Sequence, residues 1–358
     1  MKRLMLPLRW LKVTLICSFL MTVIFTSCDK DDDPAPIVVD KAILQDSIEV
    51  ATDLHDNTVE GTKPGQYEAG SKTALQTAIN AAQSIYDDAA STQSEVNSAV
   101  ANLHAAMDTY RSHYITEIEA AALLGFWKFS GNTADSSGKE NHGEAKAGHA
   151  YYGAGTLQLT TDRFGRDNMA YMFDKGSNVE IPYSTALNPQ QMTVSMWSNK
   201  SSVARTLNAD TYTMMSLNRW NGWKLQYQSA NKIFYTVKGV SGTDTAYYDR
   251  DDEVAVLDND TWYHVAVTFK PGEMNFYING DLVKSYTNTP HPAITLANPV
   301  NLVIGQDLPT DRYTTIDGDA NFVNWGGFFT GKLDDVMYYN IALTGPQIKS
   351  IYTNQATE

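Results

Sequence analysis

Hydrophobic and polar positions follow two different rhythms along this chain, and the change falls near residue 120. Before it, apolar residues recur every three or four positions. Val96, Val100, Leu103, Met107 and Tyr110 are spaced 4, 3, 4 and 3 apart, which is one face of a helix. Thr92 and Glu95 have the spacing of a capping box just upstream. Leu75, Ile79, Ala82 and Tyr86 repeat the period, and a first helix is predicted over about Val39–Leu54, with Ile43, Ile48 and Ala51 in it. The stretch GTKPGQYEAGS (Gly61–Ser71) separates the first helix from the second. A three-helix bundle over residues 38–118 is the expectation. TEIEAAALL (Thr116–Leu124) is itself helix-compatible, so the bundle is expected to abut the following segment stiffly.

Beyond residue 120 the runs become short and alternating, rich in Tyr, Val, Thr and Trp and punctuated by Gly, Asn and Asp. TWYHVAVTF (Thr261–Phe269) reads as a strand, Pro271–Glu273 as a turn and Met274–Ile278 as the returning strand. Asn279-Gly280 is a tight hairpin turn into DLVKSY. Further strands are predicted at 169–173, 192–198, 223–228, 232–238, 300–305 and 333–339, and LTGPQIKSIYTNQ as one short closing helix. Many strands without intervening helices point to an all-β, two-sheet jelly roll over residues 122–354.

Neither rhythm describes the start. Residues 1–12 are basic and residues 13–25 (VTLICSFLMTVIF) are apolar but short for a membrane span. Thr26, Ser27 and Cys28 follow, then Asp29, Asp31, Asp32, Asp33, Pro34 and Pro36. The pattern resembles a bacterial lipoprotein signal over residues 1–27, cleaved before Cys28, whose thiol would carry lipid. Residues 28–37 read as a solvated tether. A cysteine followed by an acidic run resembles the surface-export signal of lipoproteins in Bacteroidetes-type bacteria. The implied location is the outer membrane, exposed at the cell surface, with membrane contact through the lipid alone.

Composition narrows the partners. With 43% hydrophobic residues, 20 Tyr and 7 Trp, there is material for a core. The formal net charge is −14, and the first 27 residues carry four cations and no acids, so the remainder is more acidic still. Such a body repels nucleic-acid phosphates and anionic headgroups and suits neutral ligands or metal cations. The cysteines are Cys17 and Cys28, so nothing from Asp29 onward offers a disulfide, a Cys-based zinc site or a thiol nucleophile.

The phrase GQYEAGSKTALQTAINAAQSIYDDAASTQSEVNSAVANLHAAM resembles the FIVAR-type helical modules of bacterial surface proteins. This implies a spacer, with Tyr67, His104 and His113 as packing or surface residues. FWKFSGNTADSSGKENHG, DTWYHVAVTF…MNFYINGDLV, VNLVIGQ and FFTGKLDDVMYYNIALTGPQIKSIY follow the order of a LamG-like, concanavalin A-like lectin domain. That resemblance implies a structural Ca²⁺ between two loops, with Asp135 and Asp334, and Asn141 beside them, as ligands; calcium takes six to eight oxygens. The alternative is that Asp135 shapes a turn and Asp334 caps backbone amides. Strand alternation would put Asp334, Val336 and Tyr338 on one face.

Three further features bear on chemistry. His264 lies mid-strand and reads as a hydrogen-bonded core residue. Asp249–Glu253 (DRDDE) would place acids at 249, 251 and 253 on one strand face, as in laminarinase-type hydrolases. Its intervening residues, Arg250 and Asp252, are not apolar, and five charges in a row read as a solvated loop. Trp220, Tyr313 and Trp325, beside Gly, Asn and Asp in predicted loops, are candidate platforms for pyranose rings. The expected function is non-catalytic glycan binding by a surface lipoprotein, feeding a glycan-uptake system. The alternatives are an adhesion or scaffold protein with a protein partner, and a glycoside hydrolase using Asp251 and Glu253.

Overall fold

The structure, a computed structural model, describes residues 38–357 apart from 204, 206–210, 242, 255, 290–295, 297 and 316–320; for 241, 244 and 325 it describes the backbone alone. Cys28, the signal segment and the tether lie outside the described residues.

Three helices open the described chain: α1 (Ala42–Asp56), α2 (Ser71–Asp87) and α3 (Gln93–Ser112). Their core is Leu44, Ala51, Leu75, Ile79, Val96, Leu103, Met107 and Tyr110, the period visible in the sequence. Leu44 rather than Ile43 faces inward; Ile43 is 66% exposed. The capping box at Thr92 and Glu95 is present in both directions. Between α1 and α2, β1 (Glu60–Gly61) and β2 (Tyr67–Glu68) form a short parallel ladder. It lays the Tyr67 ring on Tyr110, with centroids 4.3 Å apart.

Thr116–Leu124 is not a helix. A single 3-10 turn at Ala120–Ala122 leads into β3 (Leu123–Trp127), which pairs antiparallel with β17 (Gly331–Tyr339). Ladder pairing overrides the helix propensity of three alanines.

The strands between are β4 (Glu144–Lys146), β5 (Gln158–Thr160), β6 (Ala170–Phe173), β7 (Asn178–Ile181) and β8 (Met192–Lys200). Then come β9 (Tyr212–Leu217), β10 (Trp223–Gln228), β11 (Lys232–Ser241) and β12 (Asp244–Asp251). β13 (Trp262–Lys270), β14 (Glu273–Ile278), β15 (Asp281–Tyr286) and β16 (Leu302–Ile304) precede β17, and α4 (Gly345–Gln355) closes the chain. Two antiparallel sheets result, ordered β12-β11-β10-β9-β16-β7-β4 and β15-β14-β13-β8-β17-β6-β5, with β3 joining the second through β17 as its eighth strand. Alternate residues of both pack into one core: Trp223, Leu225 and Tyr227 from β10 meet Val194 and Met196 from β8 and Val265, Val267 and Phe269 from β13.

The outer faces differ. On the eight-stranded sheet, α4 buries Ala266, Tyr277 and Tyr339 with Leu343 and Ile348. The outer face of the seven-stranded sheet carries no such helix among the described residues. The helical module docks on the α4 side: Gln347 donates to Thr116 Oγ1 at 3.0 Å, and Ser350 and Asn354 to the Thr62 carbonyl.

β17 departs from simple alternation. Its register against β8 shifts between Asp334 and Met337, with Asp335 at φ 46°. The extra residue turns Leu333, Val336 and Tyr338 to the core and leaves Asp334 on the side of α4, opposite Val336. The expected shared face of Asp334, Val336 and Tyr338 is thus broken by a bulge.

Candidate functional site

The outer face of the seven-stranded sheet, which no described element covers, holds a groove of about 510 Å³. Its floor is set by strand alternation. With Trp223, Leu225 and Tyr227 committed to the core, Lys224, Gln226 and Gln228 must face outward. Register extends the floor sideways: Lys224 lies beside Thr236, and Thr236 beside Asp249; Gln226 lies beside Phe234. Trp220 and Tyr247 add aromatic walls.

Trp220 is placed by the β9–β10 connection. Asn218 and Arg219 both take left-handed φ, 62° and 55°, and Arg219 N donates to the Asp307 carbonyl at 3.1 Å. The buried Arg219 guanidinium pairs with Asp307 at 2.9 Å and lies 4.7 Å from the centre of the Trp220 ring. A buried ion pair therefore backs the aromatic wall.

Tyr313 lies behind that wall. Only 7% exposed, it packs with Tyr152, Leu308 and Phe328 and donates its hydroxyl to Asp307. Burial, and then the Asp307 charge, push its phenol well above the ordinary value, so it stays a donor. As placed, it has no ring face to offer a ligand. The side chain of Trp325 lies outside the described residues. Of the three aromatic candidates, the groove contains Trp220.

Asp249–Glu253 is not a solvated loop. Asp249, Arg250 and Asp251 complete edge strand β12, and Asp252 is fully buried, accepting from Ile233 N at 2.9 Å. Charge on an edge strand is ordinary because its outer side meets water. Asp249 accepts from the Thr236 hydroxyl. Glu253 is paired with Lys284 and accepts from Tyr286 Oη at 3.0 Å. Those two partners hold its carboxyl below the usual range.

The residues assigned to calcium are engaged elsewhere. Asp135 Oδ1 accepts from Phe126 N and Ser137 N, and Oδ2 from Ser137 Oγ and Asn141 N, at 2.7–3.0 Å. Burial pushes Asp135 up, but these hydrogen bonds outweigh it and hold the carboxyl low. Asn141 gives its amide to the Leu124 carbonyl. Asp334 faces Arg163 at 2.6 Å, and the same guanidinium reaches Asp335 at 2.9 Å and the Gln355 carbonyl at 2.7 Å. Burial and then Asp335 push Asp334 up, with Arg163 opposing. A guanidinium already fills the place a cation would take, and Asp135 belongs to a separate turn. This donor set does not fit calcium.

His264 is fully buried, with Nε2 2.8 Å from Ser195 Oγ; burial, aided by the Arg163 charge, pushes it down to about 3. Sequence reasoning missed Lys224, Gln226, Phe234, Thr236, Tyr247 and Asp249 as groove residues. The Lys-Gln-Gln alternation in WKLQYQ was the available signal.

Residues 173–349 match the family model of the concanavalin A-like lectin/glucanases superfamily, and residues 40–110 match that of the FIVAR domain. The chain therefore carries a FIVAR domain and a concanavalin A-like domain. Over 86 residues, 24% of the chain, it is 35% identical to a gellan lyase of a Bacillus species, and the match spans 4% of that relative's length. Among solved structures it is similar to domain 4 of AbnA, a GH43 extracellular arabinanase from Geobacillus stearothermophilus in complex with arabinotriose. Identity there is 21% and the TM-score 0.46, covering 65% of this chain and 98% of that one. The binding domain of Paraclostridial Mosquitocidal Protein 1 is similar at 17% identity and TM-score 0.48, covering 66% and 53%.

Proposed function

We propose that this chain is a non-catalytic carbohydrate-binding lipoprotein, anchored through Cys28 and displayed at the outer cell surface, whose groove on the seven-stranded sheet receives sugar. The observation that carries the reading is the groove itself. Aromatic rings at Trp220, Phe234 and Tyr247 stand around Lys224, Gln226, Thr236 and Asp249 on the outer face of the sheet. Pyranose C–H faces stack on rings while polar side chains fix hydroxyls. The lectin-type family match supports the same ligand class.

A role without catalysis suits the acids at the edge. A glycosidase acid needs a raised pKa, whereas Lys284 and Tyr286 hold Glu253 low. The gellan lyase relative makes polysaccharide, gellan included, the first ligand class to try.

The test is a panel of immobilised polysaccharides probed with the chain from residue 38 onward. Retention on one glycan class without product release is expected, and Glu253→Gln should bind as wild type does. Sugar release that Glu253→Gln abolishes would establish a hydrolase instead. Protease treatment of intact cells should release the protein; full protection would refute surface display.

A further inference from the structure

We infer that the groove is built for an acidic glycan, with the Lys224 ammonium in its floor pairing with a uronate carboxylate. The inference rests on the reading of the groove as a sugar site and narrows its ligand. Lys224 is 9% exposed, and lysines are almost never so buried unless paired. Among the described residues no acceptor lies within hydrogen-bond distance of its ammonium, and its near neighbour is the Trp220 ring, 5.8 Å away at the centroid.

The surrounding charges do not satisfy it. Arg219 is the other cation beside Trp220, and it is committed to Asp307. Asp249 stands two strands away from Lys224, about 10 Å by strand spacing, and its carboxylate already accepts from Thr236, the residue between them. Among the described residues, one cation is therefore left facing the groove without a contact acid.

A second group points the same way. Gln226 is 2% exposed, yet its Oε1 accepts no hydrogen bond among the described residues. Leaving such an amide unpaired in a buried place is costly, so it calls for a donor from outside. Lys224 and Gln226 share one face of β10, about 7 Å apart. A cation and an amide at that separation can hold the carboxylate and a hydroxyl of one acidic sugar, with Trp220 against its ring.

The chain's net charge of −14 opposes an anion at long range. Distant charges are screened beyond about 8 Å at physiological salt, so the contact group decides.

The experiment uses the full chain against pectate, alginate and gellan, each beside its carboxyl-reduced form, by affinity electrophoresis and titration calorimetry. Wild type should prefer at least one acidic polymer over its reduced form by about tenfold or more. Lys224→Met should erase that preference, bringing binding of the acidic polymer to the level of its reduced form, and Lys224→Arg should keep most of it. Thermal melts establish that the variants fold, and the comparison on wild type holds without them. Equal binding of acidic and reduced polymers, or a preference that survives Lys224→Met, overturns the inference and leaves the sugar-binding reading standing. Binding to no glycan overturns both.

Discussion

Trp220 and Tyr313 flank the same Arg219–Asp307 ion pair, yet only Trp220 lines the groove. Their substitutions should therefore separate binding from stability. Trp220→Ala is expected to weaken glycan binding by about tenfold or more with little change in unfolding temperature. Tyr313→Phe removes a buried donor to Asp307, and should cost roughly 1–3 kcal/mol in urea unfolding while affinity holds. His264 supplies a pH dependence. Its folded pKa of about 3 lies below the ordinary 6.5. The unfolded chain therefore takes up a proton the native state refuses, and stability is lost as pH falls below 6.5. The loss is at most about 1.4 kcal/mol per pH unit. His264→Gln should flatten the stability profile between pH 6 and 4; an unchanged slope would show that His264 is not the group excluding the proton.

α2, α3, β10, β11 and β13 lie close to their predicted places because their apolar side chains recur with a clean period in the sequence. β9 escaped, since its apolar residues Tyr212, Met214, Met215 and Leu217 keep no strict alternation. β12 escaped because its outward charges resemble a loop. The site was half legible. Trp220 stood out by residue type, whereas Tyr313 looked equivalent until Asp307, distant from Arg219 in sequence, drew it inward. Nothing local announced the β17 bulge that sends Asp334 to Arg163. That strand also begins on a constraint: Gly331 sits at φ 143°, and a Cβ there would lie 2.2 Å from the Asn199 carbonyl oxygen. Gly331→Ala should cost about 2 kcal/mol or more, read as a lower urea midpoint with an unchanged m-value.

At the scale of the whole molecule, the acidic residues that are described are spread apart or already paired. Among the described residues no group of three His, Cys, Asp or Glu is placed to hold an ion. EDTA should leave the melting temperature unchanged, and a fall reversed by calcium would reinstate a site built on Asp135 or Asp334. Both ends of the described fold meet at α4. The helical module reaches it through Thr62 and Thr116, and Arg163 fixes its last turn through Gln355. The closing helix thus serves both the sheet and the module.

Among the described strands β3 pairs with β17, with Trp127 opposite Val336, and β17 is also the strand that joins β8 to β6. During synthesis the eight-stranded sheet must stay divided until residue 339 has left the ribosome. Closing so long a loop costs roughly 5 kcal/mol of chain entropy before any contact is made. Such a topology folds slowly, and its early strands keep unpaired edges open to stray pairing for that interval.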